Sequence, residues 1–273
     1  MFNSSNKKTP KVVAFGTLKG GTGKTTVAFN IGGILAEKYK VLFIDVDPQA
    51  NLTDNLGINT AWQDAVTVRH IFNNPTTVDA SSCIILEPIP DLPNVDLIPS
   101  HIRLTATEMR LVTSPGRERI LQRWMKRNEA ALSVYDYILI DTNPSMGVVN
   151  QNAFLVADSI ILVSDVSRKA IQGAQLFTYL WGEVTDAMQI EDKVRAIILN
   201  NYDRRTRLSK NLFEYYKEDE EFGSILINTV VPNRVEIKTT ELKYSTINML
   251  APDSDSCEAF RNIVSELFER KVF

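Results

Sequence analysis

Apolar runs alternate with segments of helical spacing along this chain of 273 residues. The runs are rich in β-branched residues and mostly continuous, which is typical of strands covered on both faces. They are Val12–Phe15, Val41–Ile44, Val95–Ile98, Tyr137–Ile140, Ser159–Val163, Val194–Leu199 and Ile225–Val230. Helical spacing is found at Thr25–Lys38, His101–Val112, Arg117–Leu132, Asn150–Val156, Lys169–Met188, Leu208–Lys217 and Ser256–Arg270. The alternation predicts an α/β fold with a single doubly wound, mainly parallel β-sheet and helices on both faces.

Composition and charge narrow the class of protein. Apolar residues make up 44% of the chain and charged residues 23%, the balance of an ordinary globular protein. No apolar stretch is long enough to span a bilayer, so we expect no membrane partner. The polar residues 1–10 predict a flexible N-terminus, and residues 11–273 suffice for a single domain. Because the formal net charge is −3, binding of nucleic acid requires a local basic patch.

A glycine-rich octet, Lys19-Gly-Gly-Thr-Gly-Lys-Thr-Thr26, stands between the first predicted strand and the first predicted helix. Such a loop turns its N–H groups onto phosphate oxygens, and the helix N-terminus adds the positive end of its dipole. Lys24 supplies a point charge for the β- and γ-phosphates, and the Thr25 hydroxyl is placed to ligate Mg²⁺. The motif therefore predicts ATP and Mg²⁺ as cofactors. Its predicted phosphate-binding residues are Gly20, Gly21, Thr22, Gly23, Lys24, Thr25 and Thr26.

Two further strands end in aspartates. The second strand runs into Asp45 and Asp47, and the strand Tyr137–Ile140 runs into Asp141. Because the carboxyl ends of parallel strands meet at one edge of a sheet, we expect these carboxylates beside the glycine-rich loop. An ionised carboxylate there can position the attacking water, and Asp141, which follows an apolar strand, can hold Mg²⁺ through water.

Several segments resemble the ParA/Soj branch of the ParA/MinD ATPase family. The octet, with Lys19 at its front, resembles the family's deviant Walker A motif, K-G-G-x-G-K-T. The segment from Asp45 resembles D-x-D-P-Q, and the segment from Asp141 resembles D-x-P-P-S, with Asn143 in place of the first proline. Residues 200–208, 230–235 and 253–270 are similar to the family's Y-D-x-R-T-x-L, I-P-R-N-V and D-P-x-S-x-x-x-E-A-Y segments. The resemblance thus extends over residues 11–270.

The resemblance implies a catalytic site shared by two copies of the chain. Lys19 of one copy is expected to reach the nucleotide of the other, in a homodimer that forms on ATP binding. Asp47 is expected to polarise the attacking water, and Asp45 to support it and the Mg²⁺ shell, alongside Lys24. Intrinsic ATP hydrolysis is expected to be slow. The expected adenine contacts are Asn200, then Asn201, with Pro232 on the other side of the base.

Basic residues after the sixth apolar run point to nucleic acid. By the resemblance, the ATP-bound dimer binds DNA without sequence specificity, and a ParB-type centromere-binding protein stimulates hydrolysis. Phosphate contacts need only cations on one face. The candidates are Arg204, Arg205, Arg207, Arg234 and Lys238, of which Arg205 matches the family best, whereas Glu236 replaces an expected basic residue. A second basic cluster, Arg119, Arg123, Lys126 and Arg127, lies along one predicted helix. The implied function is plasmid or chromosome partition by a cytoplasmic, nucleoid-associated protein.

Other functions stay open on the sequence. A MinD-like ATPase works at a membrane surface, but the apolar stripe of the last helix, from Phe260 to Phe268, favours packing inward. A ParA-like ATPase that positions a protein cargo shares every motif above. Metal-cluster carriers with this loop use paired cysteines, whereas Cys83 and Cys257 lie far apart and indicate a reducing cytoplasm. A generic small-molecule kinase has no need of Lys19.

Overall fold

A seven-stranded β-sheet forms the centre of the computed structural model, which describes residues 9–60 and 65–273. Its strands are β1 (Lys11–Gly16), β2 (Val41–Asp45), β3 (Ile85–Leu86), β4 (Val95–Ile98), β5 (Tyr137–Asp141), β6 (Ser159–Asp165) and β7 (Val194–Asn200). They lie in the order β3-β4-β2-β5-β1-β6-β7. All of these pairings are parallel except that of β3 with β4. The predicted α/β fold with one mainly parallel sheet is confirmed.

Helices connect the strands and cover the sheet. They are α1 (Lys24–Leu35), α2 (Asn51–Asn55), α3 (Val68–Asn73), α4 (Ala80–Cys83), α5 (Leu104–Leu111), α6 (Ile120–Arg127), α7 (Glu129–Leu132), α8 (Val148–Val156), α9 (Arg168–Met188), α10 (Arg207–Glu218), α11 (Val235–Leu242), α12 (Ile247–Leu250) and α13 (Asp255–Glu269). A 3-10 turn at Arg117–Arg119 precedes α6. The predicted helix 117–132 is thus divided into this turn, α6 and α7. Between α6 and α7, the side-chain Nδ2 of Asn128 donates a hydrogen bond to the Trp124 carbonyl at 3.0 Å, at the point where α6 ends.

Apolar side chains fill both sides of the sheet. In β1, Val12 and Ala14 belong to one buried cluster, whereas Val13 and Phe15 belong to the other. This explains the continuous apolar runs, because a strand buried on both faces has no polar side. The stripe of α13 packs inward as predicted, since Phe260, Ile263, Val264 and Leu267 are buried and Phe268 packs against the same core.

The predicted strand Ile225–Val230 is wrong. This segment follows β7 but makes only isolated bridges, of Leu226 with Ile197 and, further on, of Pro232 with Tyr202. Leu226 and Ile227 are nevertheless buried. The apolar run thus reflects packing of a loop against the sheet, which the sequence pattern does not distinguish from a strand.

The short strand β3 lies within residues 73–95, where no strand is predicted. Two residues pair with β4, and Glu87 then turns the chain with a φ of +48°. The Glu87 N–H donates to the buried Asp96 carboxylate at 3.0 Å, and the Tyr135 hydroxyl donates to the same group at 2.7 Å. Asp96 therefore fastens the edge of the sheet.

A flexible N-terminus is predicted for residues 1–10, of which residues 1–8 lie outside the described residues. The domain boundary at residue 11 stays a prediction. Within the described ranges, no helix combines the length and the apolar character that crossing a bilayer requires. Cys83 and Cys257 are free thiols, and both are buried.

Candidate functional site

The carboxyl ends of β1, β2 and β5 meet at one edge of the sheet. In the parallel register, Phe15 of β1 and Asp45 of β2 both lie opposite Asp141 of β5. The glycine-rich loop leaves β1 at this edge and continues directly into α1. The structure thus brings together the loop and the two aspartates that end strands, as expected for the carboxyl ends of parallel strands.

The loop has the backbone geometry of an anion cradle. Gly21 and Gly23 both have a φ of +77°, a conformation that favours glycine. Gly23 precedes α1 without capping it through a side chain, so the first N–H groups of the helix have no side-chain acceptor at this position. A helix N-terminus in this state attracts anions.

Lys24, Thr25 and Asp141 form a compact polar cluster at the start of α1. Lys24 Nζ makes an ion pair with Asp141 Oδ1, and Thr25 Oγ1 donates to Asp141 Oδ2 at 2.7 Å. The side chain of Lys24 is 5% exposed and that of Asp141 is fully buried. Hydroxyl and carboxylate oxygens are the ligands that Mg²⁺ prefers, so this donor set fits the ion. Within residues 9–60 and 65–273, no three His, Cys, Asp or Glu residues form a metal cage, and Mg²⁺ commonly relies on water and phosphate instead.

Asp45 organises the loop that follows β2. Its Oδ2 accepts bonds from the backbone N–H and the hydroxyl of Thr53 at 2.9 and 2.7 Å, and its Oδ1 accepts the Asp47 N–H at 3.0 Å. Burial, together with the negative charge of Asp141, raises the pKa of Asp45 to about 7. Both oxygens of Asp45 are engaged by the protein, so its expected part in the Mg²⁺ shell stays a prediction. Sequence reasoning missed Thr53.

Asp47 and the glycine-rich loop line one cleft. It is 5% exposed, and its Oδ1 accepts the Gln49 N–H at 2.8 Å. Burial raises the pKa of Asp47, and the nearby charge of Lys24 opposes this shift. The position fits a group that acts on water near a terminal phosphate, although the role itself stays a prediction.

Lys19 is bound to its own chain. Its Nζ makes an ion pair with Asp165 at the end of β6 and donates to Ser167 Oγ at 3.0 Å. Ser167 also caps α9 by accepting the Ala170 N–H, and it donates to Asp165 Oδ1 at 2.7 Å. Lys19 therefore has a defined intramolecular position, which sequence reasoning did not predict. Its expected action on a second copy requires these contacts to open.

Asn200 supports the glycine-rich loop from the end of β7. Its Nδ2 donates to the Thr22 carbonyl at 2.7 Å. Asn201 follows with a φ of +56°. Pro232 lies across from this segment, because Tyr202 N–H donates to the Val231 carbonyl at 3.0 Å and the Tyr202–Pro232 bridge joins the two loops. Of the three predicted adenine contacts, Asn200 bonds to the glycine-rich loop, whereas Pro232 lines a different cleft together with Arg204 and Arg205. Binding of a base by these residues stays a prediction.

A cleft of about 520 Å³, here called the P-loop cleft, opens over these groups. Its walls include the glycine-rich loop, Asp47, and two residues that sequence reasoning missed, Asn55 and Glu241. Among the described residues, three buried side-chain atoms have no hydrogen-bond partner: Thr22 Oγ1 and Asn55 Nδ2 in this wall, and Ser100 Oγ outside it. Buried polar atoms are normally satisfied, so two of these three exceptions lie at the P-loop cleft.

The predicted DNA-binding residues fall into two places. Arg204, Arg205 and Arg234 line a second cleft of about 570 Å³, here called the arginine cleft, whereas Arg207 starts α10 and Lys238 lies exposed on α11. Arg205 is 85% exposed, and two of its nitrogens donate to Asp203 at 3.0 and 2.9 Å.

Acidic residues accompany these arginines. Asp203, Asp255 and Glu258 line the arginine cleft too, so its charge is close to balanced. Glu236, which departs from the family pattern, accepts a hydrogen bond from the Ser256 hydroxyl at 2.7 Å. In the second basic cluster, Arg127 pairs with Asp79 at 2.9 Å. Cationic character at the proposed DNA surface therefore depends on Arg207 and Lys238 as well.

One wall of the arginine cleft is fastened to α13. Glu266 accepts the N–H groups of Asn228 and Thr229 at 2.9 and 3.2 Å, and it pairs with Arg270 at 2.9 Å. Partial burial alone raises the pKa of a carboxyl group, but these bonds prevail and lower the pKa of Glu266. The loop that carries Asn228 is thereby held at a fixed distance from the helix.

Comparison with known proteins agrees with this geometry. The sequence model of a family described as an AAA domain matches residues 10–196. The sporulation initiation inhibitor protein Soj from Bacillus subtilis is 30% identical over 258 residues, covering 94% of this chain and 98% of the relative. An uncharacterized protein from Mycobacterium tuberculosis is 32% identical over 261 residues, covering 95% of this chain and 79% of the relative. The crystal structure of a Borrelia burgdorferi protein assigned to plasmid partition, bound to AMPPNP, is 25% identical with a TM-score of 0.77, covering 96% and 99% of the two chains.

Proposed function

Since the chain belongs to the ParA/Soj family of ATPases, we propose that it is a ParA-type ATPase that partitions a plasmid or chromosome. The observation that carries the proposal is the meeting of the glycine-rich loop, Lys24 and Asp141 at the carboxyl edge of the sheet. ATP and Mg²⁺ are its cofactors, in line with the AMPPNP bound to the Borrelia burgdorferi protein. A relative that is 27% identical over 267 residues, the chromosome partitioning protein ParA of Myxococcus xanthus, is named for partition.

Nucleotide binding rearranges the polar cluster at the start of α1. The N–H groups of the loop and the N-terminus of α1 would hold the triphosphate. Lys24, which pairs with Asp141 in this structure, would turn its ammonium group to the phosphates, and the Asp141 carboxylate and the Thr25 hydroxyl would hold Mg²⁺. The ion supplies positive charge that offsets the charge developing on the phosphates during hydrolysis.

Hydrolysis uses the carboxylates after β2. Asp47 accepts a hydrogen bond from the attacking water, and Asp45 keeps the loop in place through Thr53. Intrinsic turnover is slow, because the site is completed only when Lys19 arrives from a second copy. The space beside Gly20 is open to a second copy, since a Cβ atom built there meets no described residue within 4 Å, and a glycine leaves that space free of a side chain.

The ATP-bound homodimer binds DNA through phosphate contacts, using Arg205 and Arg207 with Arg204, Arg234 and Lys238. A ParB-type protein stimulates hydrolysis and releases the dimer from DNA. Location on the nucleoid in the cytoplasm follows from this cycle. The five basic residues are exposed, which supports contacts with DNA phosphates. Such contacts carry no information about base sequence, so the expected binding is nonspecific.

The test measures retention of the protein on DNA with ATP, with ADP, and with ATP for the variants Lys24→Ala and Lys19→Ala. We expect retention with ATP only, and loss in both variants. Lys24→Ala should also lose nucleotide binding, whereas Lys19→Ala should keep it and lose pairing. Equal retention in all conditions refutes the switch. If the wild-type protein is retained on DNA but binds no nucleotide, the proposal as a whole is refuted.

A further inference from the structure

Glu241, near the end of α11, contacts the phosphate-binding loop from outside the known motifs. The hydroxyl of Thr26, the third residue of α1, donates a hydrogen bond to Glu241 Oε1. Both residues line the P-loop cleft. Among residues 9–60 and 65–273, no lysine or arginine makes an ion pair with Glu241. Within the described part of the chain, a carboxylate without a partner cation therefore lies against the side chain of Thr26, in the first turn of α1.

The backbone beside Glu241 is fixed to α1 by separate contacts. The Ile247 N–H donates to Asn30 Oδ1 at 2.7 Å, and Asn30 Nδ2 donates to Thr240 Oγ1 at 3.4 Å. A Cβ atom at Gly33 would come within 2.5 Å of Thr246, so helix and loop are in close contact there. Release of Thr26 therefore needs only a rotation of the Glu241 side chain, while the end of α11 stays in place.

The N-terminus of a helix binds carboxylate and phosphate for the same reasons, its free N–H groups and its dipole. We propose that Glu241 is an internal competitor for the phosphates of the nucleotide, which must displace its carboxylate from Thr26 in order to bind. This inference rests on the proposed nucleotide site and adds a residue that lowers the affinity of that site. Weaker binding in turn favours release of ADP after each turnover.

A direct contact to the nucleotide would have the opposite consequence. If Glu241 accepted a hydrogen bond from a ribose hydroxyl, its removal would weaken binding. If it competes with phosphate, its removal strengthens binding. The sign of the change in affinity therefore separates the two roles.

The experiment measures the dissociation constant of ADP for the wild-type protein, Glu241→Gln and Glu236→Gln, at low and at high salt. Glu236 is a matched control, because it lies on the same helix, bonds to Ser256 and carries the same charge. We expect Glu241→Gln to bind ADP about threefold to fivefold tighter at low salt, and the gain to shrink at high salt. Glu236→Gln should match the wild type.

Unchanged or weaker ADP binding by Glu241→Gln overturns the inference. Glu241→Ala provides a second variant if the glutamine protein does not fold, and it carries the same expectation. Failure of the wild-type protein to bind ADP at all refutes the proposed function instead, so the two failures are distinguishable.

Discussion

Alanine substitutions at three glycines of the phosphate-binding loop should have graded effects on stability, because their surroundings differ. Gly20 has no left-handed φ, and a Cβ atom there comes within 4 Å of none of the described residues. Gly21 has a φ of +77° in open space. Gly23 has the same φ, and its Cβ atom would lie 2.2 Å from Nδ2 of Asn200, the atom that supports the Thr22 carbonyl.

These observations set the magnitudes. A left-handed conformation costs a residue with a Cβ atom about 1–2 kcal/mol, which is the expected loss of unfolding free energy for Gly21→Ala. Gly23→Ala adds the displacement of Asn200, which leaves a buried carbonyl unpaired at about 1–3 kcal/mol. Its total loss is about 2–5 kcal/mol. Gly20→Ala should be neutral or stabilising by up to about 1 kcal/mol, because alanine restricts the unfolded chain.

Urea unfolding of the three variants measures these differences as shifts of the midpoint at a constant slope. ADP binding should be lost in Gly23→Ala and kept in Gly20→Ala. Equal destabilisation by Gly20→Ala and Gly23→Ala would refute the reasoning, as would a change below about 0.5 kcal/mol for Gly23→Ala, the range of ordinary surface substitutions.

Three further predictions concern charged groups. Asp165→Asn frees Lys19 from a partly exposed ion pair worth about 1 kcal/mol. Because each of the two copies opens one such pair, sedimentation with a slowly hydrolysed ATP analogue should show pairing stronger by about 2 kcal/mol, or roughly thirtyfold; weaker pairing would mean that Asp165 presents Lys19 to the second copy. Glu266→Gln should lower the unfolding free energy by about 1 kcal/mol at neutral pH. The folded state lowers the pKa of Glu266. The loss of unfolding free energy should therefore be complete above the unfolded pKa of about 4.3 and should disappear as the pH falls through the folded pKa; a loss of unfolding free energy that increases in acid contradicts the prediction. Asp96→Ala should cost about 2–4 kcal/mol, because the buried Tyr135 hydroxyl loses its acceptor, and an unchanged thermal midpoint would show that the sheet edge is fastened elsewhere.

The local pattern of apolar residues predicts those strands and helices of this fold that are long and well buried. Six predicted strands are confirmed within two residues at each end, because continuous β-branched runs have few alternative structures in an α/β chain. The edge strand β3 has only two residues and no periodicity to detect. The failure at Ile225–Val230 has the opposite cause, since a buried loop needs apolar side chains just as a strand does.

The candidate site, too, contains residues that local sequence predicts and contacts that it does not predict. The phosphate-binding loop and Asp141 are recognisable because their chemistry lies in consecutive residues beside a strand. The contacts of Lys19 with Asp165 and of Thr26 with Glu241 join residues that are 146 and 215 positions apart. No local pattern encodes such pairs, and only the packing of β6 and α11 against the loop brings them together.

The strand order also bears on how the chain matures during synthesis. β1 lies between β5 and β6, so neither neighbour exists until the ribosome has passed Tyr137 and Ser159. At translation rates of about 5–20 residues per second, β1 therefore has neither neighbouring strand for on the order of ten seconds. We expect its apolar side chains to be available to chaperones for the whole interval.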